Sequence, residues 1–311
     1  MIVGVVGASG FVGKGIVQAL SIHNCVAFLR EVPAVQLANV ESRIFTDLMD
    51  FEDKPDLLSG IDVVVHTAGR SNSSGKNHAT DLAFFRKMNV EGSLILARQA
   101  ASVGVKRFIF ISSIKVNGEH TPLGQPFTAD DAPAPEDAYG ISKWEAEQGL
   151  QKLASETGLE VVIIRPPLVY GLGVKGNFAR MIKFVAKALP MPFGSIHNKR
   201  SLVAIDNLVD LIITCIDHPA AANQVFLAGD GKDLSTSELL RSLANSMNKP
   251  SRLIPVPSSL LMLTATLLGK KAVAQRLLGS LQVDISKTHA LLGWEPRIPV
   301  EEGLRRCVVK N

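Results

Sequence analysis

The chain has 311 residues, 46% of them hydrophobic, with 33 basic against 29 acidic side chains and a formal net charge of +4. That length suits one large α/β unit or two modest domains, and the apolar fraction excludes extended disorder. The charges are interspersed, which excludes a basic stripe for nucleic acid, while the mild excess still suits an anionic small molecule.

In chain order, "MIVGVVG" reads as a buried strand and "FVGKGIVQAL" as the helix after it. The strand begins at Met1, so no leader peptide is expected and the chain is assigned to the cytoplasm. "CVAFLR" and "IDVVVHTAG" are further strands, followed by a long helical pattern from Ala79 to Ser102. "VKRFIFISS" is a strand, 139–157 a helix and "LEVVIIRPP" another strand. Apolar runs separated by helices predict a doubly wound, Rossmann-type α/β fold with a parallel sheet. After Pro166-Pro167 the segments shorten and Pro/Gly punctuation rises. A cofactor domain over 1–166 and a smaller substrate lobe over 167–311 are therefore expected, with some 167–230 elements free to rejoin the main sheet. Helical pieces are expected near 177–188 and 206–217, and again after Ser235, where Ser235 and Glu238 match a capping box. The apolar stretch 253–271 is too short to span a membrane and is expected to be a packed helix, with interfacial contact through Lys270 and Lys271 disfavoured. Cys25, Cys215 and Cys307 have no metal spacing and are expected to be buried thiols in a reducing compartment. No metal is assigned.

Within "VVGASGFVGKG", Gly7, Gly10 and Gly13 sit where the first strand turns into a helix, with Ser9, Phe11 and Val12 lining the same turn. Such glycines permit a tight turn and a close approach of backbone to a pyrophosphate, which then faces the helix amino end. The second strand ends in Arg30-Glu31. An arginine there suits a 2′-phosphate, so NADP is favoured over NAD, although Glu31 leaves NAD open. "YGISK" places Tyr139 and Lys143 four apart, on one helix face. A phenol is a poor base at neutral pH, and a neighbouring ammonium is expected to lower its pKa. Ser113, at the end of the preceding strand, can hydrogen-bond the same substrate oxygen.

With "TDLMD", "VVVHTAG", "MNVEG", "FIFISS" and "RPPLVYG", the chain resembles the extended short-chain dehydrogenase/reductase family in its nucleotide-sugar epimerase/dehydratase branch. The resemblance implies Ser113, Tyr139 and Lys143 as the catalytic set. It implies Asp47 and Leu48 beside the adenine, and Thr67, Ala68 and Gly69 lining the cofactor. It also implies Asn89 bracing the active-site strand, Ser112 counted with the cofactor residues, and Pro166 against the nicotinamide. For a UDP-sugar substrate it implies Asn177 and Arg200 at the diphosphate and Arg276 as a further candidate. Asp206 is expected to orient its helix. Arg70 and His78 fall in a Gly/Ser-rich loop over 69–80 that reads as a lid. The helices near 79–102 and 139–157 resemble a pair that forms a homodimer interface.

Ile114 and Lys115 stand where dehydratases of this branch carry an Asp-Glu pair, so elimination of water is disfavoured. Several segments resemble reductases of UDP-4-keto-6-deoxy-N-acetylglucosamine, and Asn117 replaces a tyrosine usual in epimerases. The expected activity is reduction of that C4 ketone for bacterial surface polysaccharide. The alternatives are a UDP-hexose or UDP-N-acetylhexosamine 4-epimerase and, in another class, a non-catalytic NADP-sensing regulator.

Overall fold

The computed structural model describes residues 1–20, 24–32, 39–69 and 82–308. Arg70, His78 and most of the expected lid lie outside them. The first half runs β1 (Val3–Val6), α1 (Phe11–Ala19), β2 (Cys25–Leu29), β3 (Val40–Ile44), α2 (Asp50–Asp53), β4 (Val63–His66), α3 (Leu82–Phe85), α4 (Gly92–Ser102), β5 (Arg107–Ile111), α5 (Ala138–Thr157) and β6 (Glu160–Arg165). The second runs β7 (Leu168–Tyr170), α6 (Gly176–Ala186), β8 (Leu202–Ala204), α7 (Ile205–Asp217), β9 (Val225–Leu227), α8 (Thr236–Ser246), α9 (Ser258–Leu267), α10 (Lys271–Leu278), α11 (Ser286–Leu292) and α12 (Val300–Val308).

Seven strands form one parallel sheet in the order β3-β2-β1-β4-β5-β6-β9. Its strands are apolar on both faces because both faces are covered. Val63, Val65, Ile109, Val162 and Ile164 point into one core with α1 and α7. Their neighbours Val64, Phe108, Phe110, Val161 and Ile163 point into the other, with Leu96, Ala97, Ala146 and Leu150 of α4 and α5. The chain leaves β1 toward one edge and restarts at β4 toward the other, so a crevice opens at the carboxyl ends of β1 and β4. A separate core around Tyr170, Phe178, Leu240 and Leu304 joins the short β7–β8 pair to α6, α8 and α12. β9 lies beyond residue 166 and yet completes the main sheet beside β6.

Two expectations need correction. The helical pattern 79–102 is interrupted by a π-helical turn over Arg86–Glu91 between α3 and α4. The apolar stretch near 260 is helical and lies against α10, but it is only partly enclosed, since α9 contains no fully buried residue. The capping box is present, with Ser235 Oγ accepting from Glu238 N at 3.1 Å and Ser235 N donating to Glu238 Oε2 at 2.7 Å. All three cysteines are free and buried, and burial raises their thiols to about 11, 12 and 11 in chain order, so they are inert at neutral pH.

Candidate active site

The site is built on strand ends. Gly7 follows β1 with φ +91, and a Cβ there would stand 2.6 Å from Ala68 N. At Gly13 an added methyl would collide with the Gly7 carbonyl, so α1 packs onto the loop only because both positions are glycine. Thr67 Oγ1 fastens the loop from β4, donating to Val6 O at 3.0 Å and Gly7 O at 3.2 Å. Ser9 and Gly10 are exposed at the mouth, and no side chain caps α1 at Gly10. Its first amides, beside Phe11 and Val12, are open to an anion. This loop fits the pyrophosphate of a dinucleotide.

Arg30 is exposed just past β2. Asp47 is exposed and caps Met49 N at 3.2 Å, whereas Leu48 is buried, where it would touch any side chain placed at Gly92. Ala68 is partly buried and Gly69 exposed. A Cβ at Gly69 would lie 3.2 Å from Asn89 Oδ1 and 3.9 Å from Lys143 Nζ, so this glycine leaves space beside both side chains. Pro166 is buried, and its carbonyl accepts Ile114 N at 3.0 Å.

Asp137 starts α5 by accepting Gly140 N at 2.7 Å, which sets Tyr139 and Lys143 one turn apart over β5. Ser113 Oγ accepts from Lys115 N at 3.3 Å and lies close enough to the Tyr139 phenol to favour its ionised form. The expectation of a lowered phenol pKa is overturned. Burial raises Tyr139 to about 12, and Asp137 adds to the rise against the opposing Ser113 hydrogen bond. Lys143 is buried with Nζ 3.9 Å from the Phe110 ring centroid, and burial lowers its ammonium to about 7 while Glu147 pulls it back up.

Asn89 sits in the π-helical turn and donates to Ser142 Oγ at 3.0 Å, and Ser142 Oγ donates to the Tyr139 carbonyl at 2.8 Å. It therefore braces the helix that carries Tyr139 and Lys143. Ser93 Oγ donates to Asn89 O at 2.6 Å, so the 2.9 Å contact between Ser93 Oγ and His66 Nε2 makes that nitrogen the donor. The other ring nitrogen, Nδ1, is buried without a partner, and burial and Lys143 lower His66 to about 3, keeping it neutral.

Beneath Lys143 runs a buried network that the sequence reading missed. Ser112 Oγ donates to Glu147 Oε1, and Arg165 binds Glu147 through Nη2 at 2.6 Å and Nε at 3.0 Å. Arg165 Nη1 also donates to Asn117 Oδ1 at 3.0 Å, and Asn117 Nδ2 to Thr128 O at 2.9 Å. Ser112 thus donates its hydroxyl to Glu147, and Asn117 is a core residue. The available signal was a charge inside each of two apolar patterns, Arg165 in "VVIIRPP" and Glu147 on α5.

Lys115 turns to carboxylates. It pairs with Glu119 at 2.6 Å and with Asp137. Burial opposes ionisation of Asp137, yet hydrogen bonds from Lys115 and Gly140 N hold its carboxyl below the usual value. Glu119 also meets Arg276 Nε at 3.5 Å. Arg200, partly buried, donates from Nη1 to Gly279 O at 3.1 Å, and burial together with the Arg276 charge lowers its pKa. The structure thus brings Arg200 and Arg276 together from distant parts of the chain. Asn177 is exposed in the first turn of α6, away from the packed side that holds Phe178. Asp206 pairs with Arg306 at 2.9 Å.

This crevice has a glycine loop at one end and a Ser–Tyr–Lys set at the other. Comparison with known proteins agrees with it. Residues 3–229 match the model of the NAD dependent epimerase/dehydratase family. A UDP-glucose 4-epimerase of Vibrio cholerae is 48% identical over 96% of this chain and 92% of its own. A Thermotoga maritima UDP-glucose 4-epimerase solved with UDP-glucose superposes with TM-score 0.79 at 23% identity, covering 99% of this chain and 97% of its own. A Bacillus cereus UDP-glucuronic acid 4-epimerase in complex with NAD gives 0.78 at 21% identity, over 98% and 97%. The likeness to the two solved structures extends along the whole fold, and the family match takes in the glycine loop, Ser113, Tyr139 and Lys143 together: this chain belongs to the NAD dependent epimerase/dehydratase family.

Proposed function

We propose that the enzyme is a UDP-sugar 4-epimerase that keeps NAD through both half-reactions. The observation carrying this reading is the 48% identity, over 96% of the chain, to the Vibrio cholerae UDP-glucose 4-epimerase. The 4-keto reductase expected from sequence loses its supports. Asn117 answers to Arg165 in the core and not to the sugar. The NADPH preference drawn from Arg30 yields to a family whose description names NAD. The sensor reading yields to the same family membership, in a chain that keeps Ser113, Tyr139 and Lys143.

NAD, held by the glycine loop after β1, would supply reversible hydride exchange at C4 of the sugar. The chain's own residues manage the proton. Tyr139 would take the O4 proton as C4 is oxidised and return it as the ketone is reduced, with Ser113 facing the same oxygen; burial favours the protonated, donating form of the phenol. Lys143 is positioned to place positive charge beside Tyr139 when the proton must leave the substrate. Pro166 and Gly69 line the nicotinamide side, and the loop from Gly7 to Gly13 holds the pyrophosphate. Arg200 and Arg276 lie close enough to disfavour one another's charge, a strain that Glu119 only partly relieves, and a UDP diphosphate would relieve it further. Lys115 engages the carboxylates of Glu119 and Asp137, so neither is a free base for water elimination.

Tyr139→Phe should lower the interconversion of UDP-glucose and UDP-galactose by about 100-fold or more, while NAD retained through gel filtration is unchanged. Full turnover in that variant would sink the mechanism. Turnover that requires added NADPH and a 4-keto sugar nucleotide would restore the reductase.

A further inference from the structure

The hairpin of α9 and α10 has a single fully buried residue, Ala274. Leu260, Leu263 and Leu267 follow one another at spacings of three and four, forming an outward stripe with 49%, 58% and 78% of their surfaces exposed. Leu268 extends it into the turn, and Ile254 and Val273 are exposed on either side. An apolar strip of this kind marks a surface made to be covered.

Two further observations say by what. The threonines of α9 satisfy their hydroxyls inside the helix, Thr264 Oγ1 on Leu260 O at 3.0 Å and Thr266 Oγ1 on Met262 O at 2.8 Å. Their donors do not need water, which suits an apolar medium. The surrounding sequence carries charge of one sign. Between Glu238 and Asp284 the chain has no acidic residue; Arg241, Lys249, Arg252, Lys270 and Lys271 are basic, as is Arg276, which is turned to Glu119 and is not part of the stripe. The net charge of the whole chain is only +4, so this stretch exceeds the entire positive balance and the remainder is slightly acidic. A leucine stripe that runs directly into Lys270 and Lys271 is complementary to anionic lipid headgroups over an acyl layer.

We propose that the α9–α10 hairpin lies in the headgroup region of an anionic phospholipid bilayer and docks the enzyme on the membrane surface. It does not cross: no described helix is long and apolar enough to do so. The hairpin is tied to the arginine pair. Asn198 Nδ2 donates to Gly279 O at 2.8 Å and Thr236 Oγ1 to Leu277 O at 2.5 Å, on the carbonyl stretch that also receives Arg200. The docked face and the proposed diphosphate seat are thus held by one segment. The inference is independent of the epimerase reading, since it rests on residues outside the catalytic crevice.

The test is co-sedimentation of the full chain with phosphatidylethanolamine vesicles containing phosphatidylglycerol and, separately, with phosphatidylcholine vesicles. The wild type should pellet with the anionic vesicles, less so at high salt, and stay in solution with phosphatidylcholine. The double variants L263D/L267D and K270E/K271E should each lower partitioning by about tenfold or more. Both alter exposed side chains, so circular dichroism and turnover on soluble nucleotide sugar should match the wild type. A wild type left in the supernatant with phosphatidylglycerol, or an L263D/L267D variant that pellets as well as the wild type, overturns the proposal. So does a sedimentation-velocity result in which L263D/L267D dissociates an oligomer and vesicle binding is absent, which would make the stripe a contact between copies.

Discussion

Lys143 is kept by the fold at the edge of its own titration. Burial brings its ammonium from 10.5 down to about 7, with Glu147 opposing. Between those values the unfolded chain holds a proton that the folded chain has released, so stability rises with pH across that window. Below about 7 both states are protonated and the whole cost of burying the charge is felt. Lys143→Met should therefore stabilise the protein against urea by on the order of a few kcal/mol at pH 6, and the gain should shrink toward pH 10. A gain that does not change with pH would mean that the amine is not desolvated. Tyr139 and Lys143 were legible in the sequence because their relation is local, one turn of one helix. Arg200 and Arg276 could be named from the sequence as separate phosphate candidates, but their closeness could not, because it depends on how α10 returns to the β8 region. The Glu147–Arg165 pair was hidden for the same reason: it joins a helix to a strand, and each partner alone reads as a stray charge in an apolar pattern.

Elements with a strong period were read well, and weak ones were not. Five of the main-sheet strands announce themselves as apolar runs. β3, "VESRI", does not, because as an edge strand it presents only one buried residue, Val40. β7, β8 and β9 have three residues each, too short for any periodicity to register. The π-helical turn is invisible to a search at 3.6 residues per turn, yet it carries Asn89, whose bond to Ser142 fixes α5. Such wide turns concentrate at functional sites. The start of α8, by contrast, was written in two residues. Ser235→Ala removes one of the two reciprocal capping bonds and should cost about 1 kcal/mol, read as a lower midpoint in thermal unfolding with no change in NAD retention.

At the scale of the molecule, the arginine pair and the glycine loop lie on different cores, so ligands should report on each separately. UDP alone should raise the melting temperature of the wild type, by an amount set by its saturation, and Arg200→Ala should abolish that rise while leaving the rise produced by NAD. A UDP effect that survives the substitution would remove Arg200 from the site. The overall α/β plan was legible because parallel strands buried on both faces leave long apolar runs. The return of β9 was open from sequence, because three residues cannot say which sheet they join. That return has a consequence for descent. Val225–Leu227 pair with Ile163–Arg165, so a crossover at residue 166 between two relatives would marry one parent's β6 to the other parent's β9. Single substitutions in the lobe around β7 and β8 leave that sheet intact, whereas a whole second half exchanged at once brings a foreign last strand into it.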